Sequence, residues 1–269
     1  MNPALETTRQ KRDRRARTGS CVLTFHRIVS RRDQDHDVSW ITFRNFLDQV
    51  EQRGLSVRAD LNRPDRDGRT LVLTFDDGTD DHLLVGEELH DRGIAGIFFV
   101  TAGRLGRAKY LSSAHLGELV SQGHVIGSHA LDHVPLRELD RDQLRHQLVQ
   151  SKALLEDETG TPISYFAPPG GIPNVALASE VARSGYSACR SMNWGFYQSA
   201  DERLWVPCLP FTELTARFWI DRALRGWHVP RTMHTAWLMK NLLPNQVVGE
   251  VRRWLHRSGP IDSHVRSEQ

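Results

Sequence analysis

The chain reads as an α/β fold, a run of βα units around a parallel sheet or barrel, and three observations carry that reading. From Cys21 onward, short apolar runs alternate with helical patterns at regular intervals. Several helical patterns stop at a glycine, the residue that ends a helix in a left-handed cap without steric penalty. The length, 269 residues with 39% hydrophobic content, supports one large domain with its own core and is too great for a disulfide-stapled miniprotein.

Taken in order, the first eighteen residues carry Arg9, Lys11, Arg12, Arg14, Arg15 and Arg17 without the apolar run of a secretion signal. Residues 1–18 are therefore expected to form a flexible basic arm, with a peripheral membrane or polyanion contact as the alternative. The barrel is expected over 19–211. Candidate strands lie at 21–26, 70–75, 95–101, 124–128, 164–167 and 187–190, with a weaker one at 204–208. Between them the pattern predicts helices at 43–53, 83–92, 114–122, 137–158 and 175–184; Gly54, Gly93, Gly123 and Gly185 close four of them. Residues 62–70 form a turn-rich loop. After Pro210 the pattern changes, and helices at 212–226, 232–243 and 246–256 predict a helical extension over 212–269.

Composition excludes several classes. With 35 basic against 33 acidic residues and a net charge of +2, neither a disordered chain nor a nucleic-acid binder is indicated. Cys21, Cys189 and Cys208 form no CxxC pair and are odd in number, so buried thiols are expected rather than a disulfide framework or zinc knuckle. No apolar run reaches the roughly 20 residues of a membrane span. A reducing, cytoplasmic setting is the expectation.

Two motifs carry chemistry. Thr74-Phe75-Asp76-Asp77-Gly78 ends an apolar strand, where a glycine lets two adjacent carboxylates address one site. Alone, such a pair is more often a cap or a solvated turn. The second motif, Gly127-Ser128-His129-Ala130-Leu131-Asp132-His133, follows another short strand. Two histidines four apart fall on one face of a helical turn and can close on one metal ion, leaving room for a carboxylate and a water. Together the motifs predict an open site of two histidines and an aspartate. Imidazole with carboxylate suits Zn2+, with Co2+, Ni2+ or Mn2+ as alternatives.

Asp76-Asp77, the His129/His133 pair and the Pro-Pro-Gly turn within 166–171 resemble the ordered motifs of the polysaccharide deacetylases, the NodB-homology or carbohydrate esterase family 4. Thr24-Phe25-His26-Arg27-Ile28, followed by Val38-Ser39 and Phe43, is similar to the opening segment of one branch. The resemblance covers about 21–210. It implies a distorted (β/α)-barrel of about seven strands, matching the strand count above. It also implies that Asp77, His129 and His133 hold the metal, that Asp76 is the general base, and that the Gly170 N–H meets the oxyanion.

The chain departs from the family pattern in three of its motifs. Ala167 stands where many members have Arg, Gly170 where an aromatic is common, and Arg190-Ser191-Met192-Asn193-Trp194 where the fourth motif often carries Asp. The exchange leads us to expect Arg190 to reach across to Asp76 and lower its pKa. The stretch 204–210 lacks the histidine that serves the family as general acid, leaving His26, His228 and His234 as substitutes. Trp194, Phe196, Tyr197, Trp205 and Trp227 suit either sugar stacking or the core. Gly103, Arg104, Gly106 and Arg107 give a weak hint of a phosphate-cradling turn. The expected activity is hydrolysis of an N-acetyl group on an amino sugar in an oligo- or polysaccharide or a glycoconjugate precursor. The alternatives are a formamide or ureide hydrolase, or a carbohydrate-binding barrel with impaired catalysis.

Overall fold

The computed structural model of the chain describes residues 20–63, 70–171, 175–195, 197 and 204–216. The basic arm, the helical extension beyond 216, His228, His234, Phe196 and Trp227 lie outside the described residues. In chain order the elements are β1 (Cys21–Phe25), β2 (Ile28–Val29), β3 (Val38–Ser39), α1 (Trp40–Gln52), β4 (Ser56–Val57), β5 (Thr70–Phe75), α2 (Asp81–Asp91), β6 (Ile97–Val100), α3 (Ser113–Ser121), β7 (Val125–Ser128), α4 (Arg141–Thr159), β8 (Tyr165–Phe166), α5 (Val175–Arg183), β9 (Ala188–Trp194), β10 (Trp205–Pro210) and a short turn, α6 (Glu213–Thr215).

The uncharged runs CVLTF, TLVLTF and IFFV become β1, β5 and β6, each buried along its whole length. Strands covered on both faces are characteristic of parallel sheets whose crossovers lay helices outside. Seven strands close the barrel in the order β1, β10, β9, β8, β7, β6, β5, and β5 returns to β1 from Cys21↔Leu71 to Phe25↔Phe75. Strand β4 pairs with the start of β5 at Ser56↔Thr70, while β6 pairs with its end at Thr74↔Ile97.

Local chemistry sets the helix starts. Ser39 caps α1 by accepting from the Thr42 N–H, so the helix begins at Trp40 rather than at 43. Asp140 and Gln143 form a reciprocal capping box, and α4 starts at Arg141, four residues later than the periodicity suggests. The four glycines expected to end helices all have positive φ. The ribbon of β2 and β3, paired at Ile28↔Val38, is too short to leave a periodic signal.

Alternation along the strands sorts the core into two layers. Phe25, Phe75 and Phe98 stack at 5.1 and 4.8 Å and meet Phe43 and Phe46 of α1, forming the layer between barrel and helices. Each such burial contributes roughly 1.5–3 kcal/mol. Val22, Val72, Ile97, Phe99, Val206 and Cys208 pack together inside the barrel. Thr24 and Thr74 share that inner parity and bond through their hydroxyls at 3.1 Å. Two residues further on, His26 and Asp76 emerge together at the barrel mouth.

Candidate metal centre

The Asp-Asp pair works because its two members have different backbones. Asp76 leaves β5 in register, its N–H bonded to the Phe25 carbonyl at 2.9 Å. Asp77 then turns into the left-handed region, φ 81°, a conformation that costs a non-glycine residue about 1 kcal/mol or more. That turn swings the second carboxylate onto the site the first one faces. Gly78 completes it at φ 72°, where a Cβ would press to 3.0 Å from the Val100 side chain.

Asp77, His129 and His133 converge. Asp77 Oδ1 lies 3.0 Å from His133 Nε2 and 3.5 Å from His129 Nε2, and one ligand atom from each residue falls within 4.8 Å of the others. Ligands about 2.1 Å from a tetrahedral ion stand about 3.4 Å apart, so the spacing fits such a cation. The hydrogen bonding fits as well. His129 Nδ1 is 2.7 Å from the Ala167 carbonyl, which can only accept, so the proton sits on Nδ1. Its Nε2 then faces Asp77 either as a second N–H or as a lone pair. In the second case two acceptors confront each other across 3.5 Å, the situation a cation resolves. Burial works to raise the Asp77 pKa, but the two imidazoles hold it well below the carboxylate range.

The geometric reason for the His pair differs from the one its spacing suggests. Residues 129–133 are not a helical turn: Ala130 and His133 both take positive φ, 63° and 57°. The second imidazole reaches the site because the chain bends back on itself twice, not because i and i+4 share a helix face.

Asp76 is 3% exposed and beside this triad. Its Oδ2 accepts from Arg190 Nη2, while Oδ1 has no partner among the described residues. Burial pushes its pKa up and the Arg190 guanidinium overrides it, leaving the carboxyl below its usual range and ionised. Arg190 is fully buried inside the barrel, 5.4 Å from the Phe99 ring centre, with Nη1 directed at Met192 Sδ at 3.2 Å and Cys208 Sγ at 3.9 Å. No other cation is placed to neutralise Asp76 in the contacts of the described residues.

His26 sits at the same mouth, its ring 4.8 Å from that of His36. Burial pushes its imidazole down to about 4, against the opposing influence of Asp76 and Asp77, so at neutral pH it is uncharged. Gly170 lies in the exposed turn after β8, at φ 72°, three residues beyond the carbonyl that orients His129. Tyr197 is buried in the barrel cluster, which removes it as a sugar platform. The phosphate-cradle hint also fails: the Gly103 and Gly106 N–H groups donate to the Leu131 and Leu111 carbonyls, and Arg104 bonds the Tyr110 hydroxyl. The three cysteines are free and buried.

Two residues at the start of α2 escaped the sequence reading. Asp81 Oδ2 accepts from the Ile28 N–H at 2.7 Å, and His82 Nε2 donates to the His26 carbonyl at 2.8 Å, so the start of α2 clamps the corner that carries His26. Their bonds run to backbone 53 and 56 residues away, which no local pattern reveals.

Residues 63–189 match the family model described as polysaccharide deacetylase. Among curated proteins, a peptidoglycan-N-acetylglucosamine deacetylase of Bacillus cereus is 27% identical over 140 residues, covering 51% of this chain and 61% of the relative. The deacetylase PgdA of Listeria monocytogenes is 27% identical over 115 residues, covering 42% of this chain and 24% of the relative. The chain thus spans about three fifths of the first relative and a quarter of the second. Two solved structures share the fold. IcaB from Ammonifex degensii superposes with a TM-score of 0.69 at 24% identity, covering 77% of this chain and 97% of its own. The deacetylase PplD of Streptococcus pyogenes gives 0.67 at 20%, covering 72% and 92%. The paired aspartates and the histidine pair fall inside the matched segment, so residues 63–189 are similar to the polysaccharide deacetylases in sequence and the barrel shares their fold.

Proposed function

We propose that this protein is a metal-dependent hydrolase that removes the N-acetyl group from an amino sugar in a glycan or glycoconjugate precursor. One observation carries the reading: Asp77, His129 and His133 converge on a single point while Asp76, ionised and with one oxygen unpartnered among the described residues, lies beside them. A divalent cation held by the triad, Zn2+ first and Co2+, Ni2+ or Mn2+ as alternatives, would supply Lewis acidity toward the acetamide carbonyl.

The remaining roles fall to the chain. Asp76 takes the proton of the attacking water through the oxygen that Arg190 leaves free. Arg190 keeps that carboxylate ionised and in one orientation. The Gly170 N–H, on the exposed turn next to the His129 anchor, is the donor offered to the developing oxyanion. His26 enters as a neutral imidazole rather than as a resident imidazolium, so the proton that Asp76 takes from the water is the one returned to the leaving amine as the C–N bond breaks. The substrate class is supported by the names of the 27%-identical relatives, which act on peptidoglycan N-acetylglucosamine.

The test is acetate release from N-acetylglucosamine oligomers by wild type, chelated and Zn2+-restored protein, run beside Asp76→Asn. Chelation should abolish release and Zn2+ restore it, and Asp76→Asn should lose roughly 10²–10⁴-fold while still binding metal. Equal rates across the samples overturn the mechanism.

A further inference from the structure

We infer that Gln147, on α4, is a positioning residue for the metal-binding loop, setting the approach of His133 to Asp77; the inference rests on the metal-centre reading above. The loop from His129 to His133 enters the left-handed region at both Ala130 and His133, so its shape has to be imposed from outside. Side chains impose it on three consecutive N–H groups. Ala130 donates to Ser128 Oγ at 3.2 Å, and Leu131 and Asp132 both donate to Gln147 Oε1, at 3.1 and 3.0 Å. Gln147 Nε2 donates in turn to Asp132 Oδ2 at 2.8 Å. Gln147 is buried, 7% exposed, and Ser151, one turn further along the same helix face, bonds Ser128 Oγ at 2.8 Å.

The opposite side of the loop is held by backbone. Ala102 donates to the Ala130 carbonyl and Gly103 to that of Leu131, at 3.1 and 2.8 Å. A side chain at Gly103 would stand 2.7 Å from that second carbonyl. The two histidines are thereby oriented by different means. His129 is fixed through its own Nδ1 on Ala167, whereas His133, the more exposed at 31%, takes its orientation from the backbone that Gln147 holds. Only an amide does this: it accepts twice through one atom and donates through the other, where Glu would face the Asp132 carboxylate with no proton to offer.

The experiment measures Zn2+ affinity of the full chain by competition with a chromophoric chelator, alongside urea midpoints of the metal-free proteins. Gln147→Ala should weaken Zn2+ binding roughly 10–100-fold. Gln147→Glu should weaken it too, and Gln147→Glu with Asp132→Asn, which reverses the donor and acceptor, should recover most of the loss. Wild-type affinity in Gln147→Ala overturns the inference, as does an affinity in the double variant no better than in Gln147→Glu. Asp77→Ala is the control: if it binds Zn2+ as wild type does, the metal centre itself falls, whatever Gln147 does.

Discussion

The barrel mouth has two walls built on opposite plans. The wall from β5 to β7 presents Asp77 and His133, 21% and 31% exposed, on backbone bent into the left-handed region beyond the strand ends. The wall from β9 to β10 presents Arg190, fully buried, on a regular strand among Phe99, Met192 and Cys208. A metal ligand has to meet solvent and substrate, and local strain is tolerated where clamps over-determine the loop. A buried charge that tunes a base has to be kept from water, and a strand interior does that. The two walls should therefore fail differently: the first by losing metal with the fold intact, the second by losing the fold with the ligands intact.

The largest expected effect lies on the buried wall. Arg190→Met leaves Asp76 as an unpaired buried carboxylate and should destabilise the protein by about 3–5 kcal/mol, read from urea unfolding. Adding Asp76→Asn to the same chain removes the orphaned charge and should return most of that stability without returning activity. If Arg190→Met unfolds at the wild-type urea concentration, the contrast between the walls collapses. The next effect lies on the open wall: His133→Ala should lower acetate release at least ~10³-fold, which is about 4 kcal/mol of activation free energy, through loss of metal. Its metal-free urea midpoint should stay near wild type; a large drop there would mean that His133 holds the fold as well.

The open wall was also the legible one. Asp76-Asp77-Gly78 and His129/His133 are contiguous motifs at strand ends, and their chemistry can be read locally even though the i, i+4 argument gave the wrong geometry for residues 129–133. The barrel was readable for a similar reason, since strands such as Thr70–Phe75 are continuous apolar runs. The contact between Arg190 and Asp76 spans 114 residues and surfaced only as an exchange of residues against a family pattern. Gln147 and His82 left no trace at all, because a side chain that bonds backbone from another element has no characteristic spacing. The two-residue strands β2 and β3 were invisible for want of length.

Neighbouring glycines after β8 give a smaller test of where the walls meet. At Gly171, φ 69°, an added Cβ would fall 1.9 Å from Met192 Cγ, against the residue that contacts Arg190. At Gly170, φ 72°, it would meet nothing within 4 Å among the described residues. Gly171→Ala should therefore combine the left-handed penalty of about 1–2 kcal/mol with overpacking of about 1–3 kcal/mol, while Gly170→Ala shows the first alone. Equal urea midpoints for the two variants would mean that Met192 yields freely and that the buried wall is softer than its packing suggests.

The smallest effect is expected at His124, which lies on neither wall and so sets the baseline for both. The ring is 4% exposed; its Nδ1 accepts from the Gly96 N–H at 3.1 Å, its Nε2 donates to the Gly86 carbonyl at 2.9 Å, and Phe98 packs on it at 5.3 Å. Both nitrogens are thus satisfied only in the neutral form. Burial, joined by the nearby His90, holds the imidazole below its ordinary 6.5, with the Gly86 bond opposing. Because the folded pKa is the lower one, the unfolded chain binds more protons between the two values, so this contribution is complete above about pH 6.5 and fades as pH falls toward the folded pKa. His124→Asn keeps an acceptor for Gly96, drops the Gly86 bond, and does not titrate. It should be less stable than wild type by about 1 kcal/mol at pH 8, with the gap narrowing at pH 5. A gap of the same size at both pH values would show that His124 does not charge on unfolding, and that acid sensitivity belongs to the walls instead.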